Sequence, residues 1–220
     1  VAIALGKALF WDQQVGSDGM ACASCHFHAG ADNRYRNQLS PSLNHRDPSR
    51  SSVFNRTRTG SGGPDYELRR GDFPFHVLRD PDDRDSEVLF DSDDVCSSSG
   101  VFRAQWNGQG SPSTMFDPCT PVVDPLFHLG SRNTRRVEPR NTPTAINAVF
   151  NFRNFWDGRA NNVFNGVNPF GPRDTSARVL RWKNGRLLPV KVELENCSLA
   201  SQAVGPPLSE FEMSCSGRTF

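Results

Sequence analysis

No run of apolar residues in this 220-residue chain approaches the roughly 20 needed to cross a bilayer as a helix, which excludes a membrane-spanning helix. Neither sign of charge is in excess. The 25 Lys and Arg against 24 Asp and Glu leave a net charge of +1, so no global field draws nucleic acid or an anionic surface, and no basic patch argues for a nucleic-acid partner. No segment recurs at a fixed period, which excludes a solenoid or propeller. Apolar residues are sparse at 36%, enough for one core, while 18 Gly and 16 Pro exceed average usage without reaching the level of low-complexity disorder. A loop-rich globular domain is the class that remains. No basic and apolar leader precedes Val1, and the chain is read as mature or trimmed.

Six cysteines are present, and two of them carry the chemistry. Cys22-Ala23-Ser24-Cys25-His26 has the spacing of c-type haem attachment. Cysteines three apart on one helical turn can each close a thioether to a vinyl group while the adjacent imidazole reaches the iron. A disulfide or a zinc knuckle is the alternative, but zinc needs a second pair of ligands at similar spacing and none is present. One covalent haem c is therefore expected on Cys22 and Cys25 with His26 as the iron ligand. Such attachment occurs outside the cytoplasm, and four spare cysteines fit a periplasmic or extracellular, oxidising location. Their even count and nearest-neighbour pairing predict disulfides Cys96–Cys119 and Cys197–Cys215, although four cysteines allow three connectivities.

Along the chain, Ile3 to Phe10 reads as an amphipathic helix. From about 30 to 136 there is little periodicity and much Asn, Asp, Ser, Pro and Gly, so most of this stretch is read as loop pinned by a disulfide. The acidic 80–94 region within it lacks an EF-hand pattern and is read as solvated loop. Asn141 to Ala160 returns to a core-like pattern, in which Ala145, Ile146, Ala148, Val149, Phe150, Phe152, Phe155 and Trp156 are expected to be buried. Two apolar-alternating arms around Asn184-Gly185 predict a hairpin with a type I′ turn over 177–193, and a short helix is expected near Ser198.

Four segments together resemble a family. Leu5-Gly6-Lys7-Ala8-Leu9-Phe10-Trp11-Asp12, Cys22 to His26 with Gly30-Ala31-Asp32, Arg140-Asn141-Thr142-Pro143-Thr144-Ala145-Ile146-Asn147-Ala148 and Phe155-Trp156-Asp157-Gly158-Arg159-Ala160 resemble, in this order, the bacterial dihaem cytochrome c peroxidases. The superfamily also contains dihaem enzymes that oxidise protein tryptophans. The resemblance implies a mainly α c-type cytochrome domain with long loop insertions and a small β-hairpin. Residues 1–220 would form the peroxidatic haem domain, with insertions at about 33–130 and 161–195. The second haem domain is absent from this chain and is expected on another polypeptide or another part of a longer one.

The same resemblance supplies candidate roles. The family carries a Gln and, ten residues later, a Glu before Met on the distal side of the peroxide-reacting haem; here these are Gln202 and Glu212, followed by Met213. Heterolysis of hydrogen peroxide requires moving a proton from one oxygen to the departing one, which a desolvated carboxylate can do. Glu212 is the expected shuttle, with Gln202 orienting peroxide or water. Asn141 matches an asparagine that helps bind an interdomain calcium, making calcium a second candidate cofactor. The His and Trp that the family commonly places before the Arg-Asn segment are replaced by residues such as Asn133 and Arg135, so His26 is expected to be the single strong protein ligand. His128 is close to the missing ligand but out of register, and His28, His45 and His76 fall in the loop region. Electrons would come from the second haem and ultimately from a small cytochrome or cupredoxin. The rival readings are a monohaem electron carrier without catalysis and a dihaem oxidase of protein side chains.

Overall fold

The computed structural model describes residues 1–28, 30, 32–42, 53–111, 114 and 116–219; His45 and Ala31 lie outside them. Helix α1 spans Ala2–Trp11 and the single turn α2 spans Ala23–His26. Among the described residues ten short strands follow: β1 (Leu39–Ser40), β2 (His76–Leu78), β3 (Val88–Asp91), β4 (Val95–Cys96), β5 (Ala104–Trp106), β6 (Cys119–Pro121), β7 (His128–Leu129), β8 (Arg132–Asn133), β9 (Val179–Lys183) and β10 (Arg186–Val190). Helix α3 (Ser198–Ala203) closes the series. The strands form two-stranded antiparallel pairs, β1 with β4 and otherwise each with its neighbour in sequence.

The expected mainly α fold is wrong. The structure is 16% helical and 20% strand, distributed over small sheets. Between Asn141 and Ala160 the reason is local. Pro143 lacks the N–H that a helix interior requires, and Asn147 (φ 59°) and Phe155 (φ 62°) adopt left-handed backbone, so the pattern yields one 3-10 turn at Ala148–Phe150. Only Ala148 of its expected core residues is buried, while Phe150 and Trp156 are 82% and 77% exposed. Apolar spacing alone did not show which way these side chains would face.

The hairpin forms as expected. Asn184 and Gly185 both take positive φ, and Lys183 pairs with Arg186 across a two-residue turn. Helix α1 also forms, with its residues unburied, and α3 starts at Ser198.

The disulfides are corrected too. Cys119 is bonded to Cys215, while Cys96 and Cys197 are free thiols. Cys119 in β6 stands opposite Trp106 in β5, and a parallel bridge between Gln105 and Ser216 lays the C-terminal segment along β5. That third strand-like neighbour brings together cysteines 96 residues apart. Cys96 is occupied in β4 opposite Leu39, and the Cys197 thiol donates to the Glu195 carbonyl at 3.2 Å.

The core is small. Met20, Cys25, Val101 and Met213 pack together, with Val15 and Cys22 against them. Phe127 is 1% exposed and meets Phe54 edge to face at 5.6 Å. Buried polar groups do much of the remaining joining, which suits a chain this poor in apolar residues.

Candidate functional site

The haem-attachment segment is a single helical turn. Cys22 precedes α2, and its carbonyl accepts from the N–H groups of Cys25 at 3.2 Å and His26 at 3.1 Å, placing both thiols and the imidazole on one turn. The Phe10 ring of α1 stands 6.3 Å from the His26 ring. Gly30 takes φ 98°, and a Cβ on it would lie 2.4 Å from the Pro143 carbonyl oxygen, so only glycine lets this segment reach the Arg140–Thr144 segment.

Both cysteines are unoxidised, and burial raises both thiol pKa values, that of Cys25 to about 12 with a further contribution from the Glu138 charge. Burial lowers the His26 pKa, against the opposing effect of the neighbouring Pro143 carbonyl. Two free thiols and an imidazole on one helical turn, with neither thiol in a disulfide, are the donor set of a covalently held haem. The described residues contain no cluster of three His, Cys, Asp or Glu that would hold a bare metal ion.

A strap at 98–101, read from the sequence as loop, assembles the rest. Its backbone pairs with 136–138: Gly100 N–H donates to the Arg136 carbonyl at 2.7 Å, Arg136 N–H to Val101 at 3.0 Å and Glu138 N–H to Ser98 at 3.1 Å. The other face of Gly100 lies against the chain at Glu212, where a Cβ would come within 2.0 Å of the Phe211 carbonyl oxygen. Side chains join the strap to the haem turn. Ser98 Oγ donates to Asp32 at 2.8 Å and accepts from Thr142 Oγ1 at 2.9 Å, and Arg34, paired with Asp32, donates to the Ser99 hydroxyl and the Ser24 carbonyl, each at 3.3 Å. Burial works to raise the Asp32 pKa, but the hydrogen bonds from Arg34 and Ser98 outweigh it and hold the carboxyl below its ordinary range.

The strap thus brings Glu138 and Glu212 together beside the haem turn. Cys25 Sγ donates to Glu138 Oε1 at 3.9 Å, and the two carboxyls hydrogen-bond to each other. Burial, and then the charge of Glu212, push Glu138 well above the usual carboxylate range. Burial also raises Glu212, against its hydrogen bond with Glu138 and the charges of Arg159 and Arg140. Two carboxyls in one desolvated place share a proton.

The other expected residues stand apart from this pair. Gln202 is half-buried on α3, and its side-chain amide makes no hydrogen bond among the described residues. Asn141 donates its amide to the Cys96 carbonyl at 3.1 Å. His128 lies in β7 with Nδ1 2.9 Å from the Gly130 carbonyl of its own turn. Asn133 is engaged with Asp124 and Val122, and Arg135 with Asp18. Sequence reading missed Glu138, Gly100 and Arg34. Glu138 lies two residues outside the Arg140–Ala148 segment, and neither its partner nor what Gly100 packs against is near it in sequence.

A model of the di-haem cytochrome c peroxidase family matches residues 117–219, a stretch that contains Glu138, Arg140, Gln202 and Glu212. The match supports membership of that family. No curated protein and no solved structure matches the chain.

Proposed function

We propose, with membership of the di-haem cytochrome c peroxidase family as the premise, that this chain is the peroxidatic domain of a periplasmic or extracellular enzyme that reduces hydrogen peroxide with electrons from a second haem. The observation that carries the reading is Glu138, which touches the attachment cysteine Cys25 on one side and Glu212 on the other. Cys22 and Cys25 would tether one haem c and His26 would ligate its iron. When bound there, the haem supplies a coordination position for peroxide and the path for electrons.

The chain's own residues handle the proton. An ionised carboxylate of the Glu138–Glu212 pair takes a proton from peroxide and, as the acid, returns it to the departing oxygen as water forms. Desolvation favours the protonated form of both carboxyls, which equips the pair to act as acid as well as base. Gln202 is assigned the orienting role by the resemblance, and a small cytochrome or cupredoxin the role of ultimate donor. No helix among the described residues is long and apolar enough to cross a membrane.

Glu212→Gln is nearly isosteric and should leave haem attachment intact while slowing the reaction of the ferric protein with peroxide by about 10²–10⁴-fold in stopped-flow mixing. An unchanged rate would remove Glu212 from the mechanism.

A further inference from the structure

A second site opens beside the first. Asn154 and Ala160 exchange backbone hydrogen bonds at 3.3 Å each, closing the loop Phe155-Trp156-Asp157-Gly158-Arg159. Arg153 spans its mouth, donating to the Gly158 carbonyl at 3.2 Å. Arg159 pairs with Asp157 at 2.8 Å, and its guanidinium lies 3.7 Å from the centre of the Phe155 ring. Arg173 approaches from the 3-10 turn Gly171–Arg173, which is tied back by the Asn165 amide on the Gly171 carbonyl at 3.0 Å. These residues wall a pocket of about 530 Å³ with Gly158 and Asn161.

Its charge is unbalanced. Asp157 is the acidic residue of the wall and is already engaged by Arg159, so three guanidiniums against one carboxylate leave two positive charges facing one space. The Arg173 side chain makes no hydrogen bond among the described residues. Guanidiniums converging on a cavity match the paired oxygens of a carboxylate or phosphate, to which each can donate twice. Arg159 also acts on the charge of Glu212 and Arg140, so the pocket lies within electrostatic reach of Glu212.

We propose that the pocket of Arg153, Arg159 and Arg173 is an oxyanion-binding site, taking either a small free anion of the phosphate class or the carboxylates of the porphyrin itself. The choice between these sources rests on the peroxidatic reading; the site does not. Arg153 and Arg173 are exposed, so Arg153→Gln and Arg173→Gln test the site without removing buried groups.

The experiment is a calorimetric titration of the haem-loaded protein with inorganic phosphate at constant ionic strength, together with the propionate-bending bands of its resonance Raman spectrum. Phosphate binding that weakens at least tenfold in each variant assigns the pocket to a free anion. No phosphate binding, with propionate bands that shift in the variants, assigns it to the haem carboxylates. Phosphate binding equal in wild type and variants, or neither binding nor a band shift, overturns the proposal. Phosphate binding through these arginines in a protein inert to peroxide would leave the site standing and remove the proposed function.

Discussion

Arg136 donates from Nε to Asp124 Oδ2 at 2.7 Å, with 6% and 1% of the two residues exposed. The same guanidinium donates to the Glu210 carbonyl at 3.2 Å and stacks 4.4 Å from the centre of the Phe211 ring, so a buried ion pair holds the two residues that precede Glu212. Removing one partner leaves the other charge desolvated. Asp124→Ala should cost about 3–5 kcal/mol in denaturant unfolding and also slow the peroxide reaction. A loss below about 1 kcal/mol would show that the guanidinium finds another partner.

Glu138 should be as necessary as Glu212 for a bell-shaped response to pH. Two coupled carboxyls give two apparent ionisations, and removing either leaves one. Glu138→Gln should convert the pH profile of kcat to a single ionisation whose midpoint lies below the upper one of the wild type, since the carboxyl raised most by burial and by its charged neighbour is gone. An unchanged two-step profile would assign Glu138 a packing role only.

The Cys119–Cys215 bridge closes a long stretch of chain beside the site. Non-reducing peptide mapping should recover that pair linked, with Cys96 and Cys197 alkylated as free thiols. Cys119→Ser should lower stability by roughly 2–5 kcal/mol.

Asp94 is buried, and desolvation raises its carboxyl to about 6 despite hydrogen bonds from Asn55. A pKa raised in the folded state gives stability that is full below the unfolded value near 3.8 and is lost as pH rises through about 6. Melting temperatures of the wild type should therefore carry a downward step between about pH 4 and 6, worth up to about 3 kcal/mol, which Asp94→Asn should flatten.

What the sequence revealed divides by range. Asn184-Gly185, the spacing of Cys22 to His26 and the helix at Ser198 are set within a few residues, and each appears in the structure. The pairing of Cys119 with Cys215 depends on Gln105 meeting Ser216, and the seat of Glu212 depends on Gly100; neither partner is near in sequence. The mainly α expectation failed where Asn147 and Phe155 turn left-handed, a backbone choice that apolar periodicity does not encode. Glu212 itself was legible through the resemblance, whereas its neighbour Glu138 required the pairing of 98–101 with 136–138.

Because the strap at 98–101 joins the haem turn to Glu138 and Glu212 directly, the β2–β3 hairpin before it is a loop whose length the site does not feel. Closing a flexible loop costs only about 0.6 kcal/mol more for each doubling of its length. The β2–β3 hairpin with its acidic tip could be shortened or replaced while Ser98 and Gly100 keep their contacts. The chain has a fixed clasp and adjustable slack, and variation in length should collect in the slack.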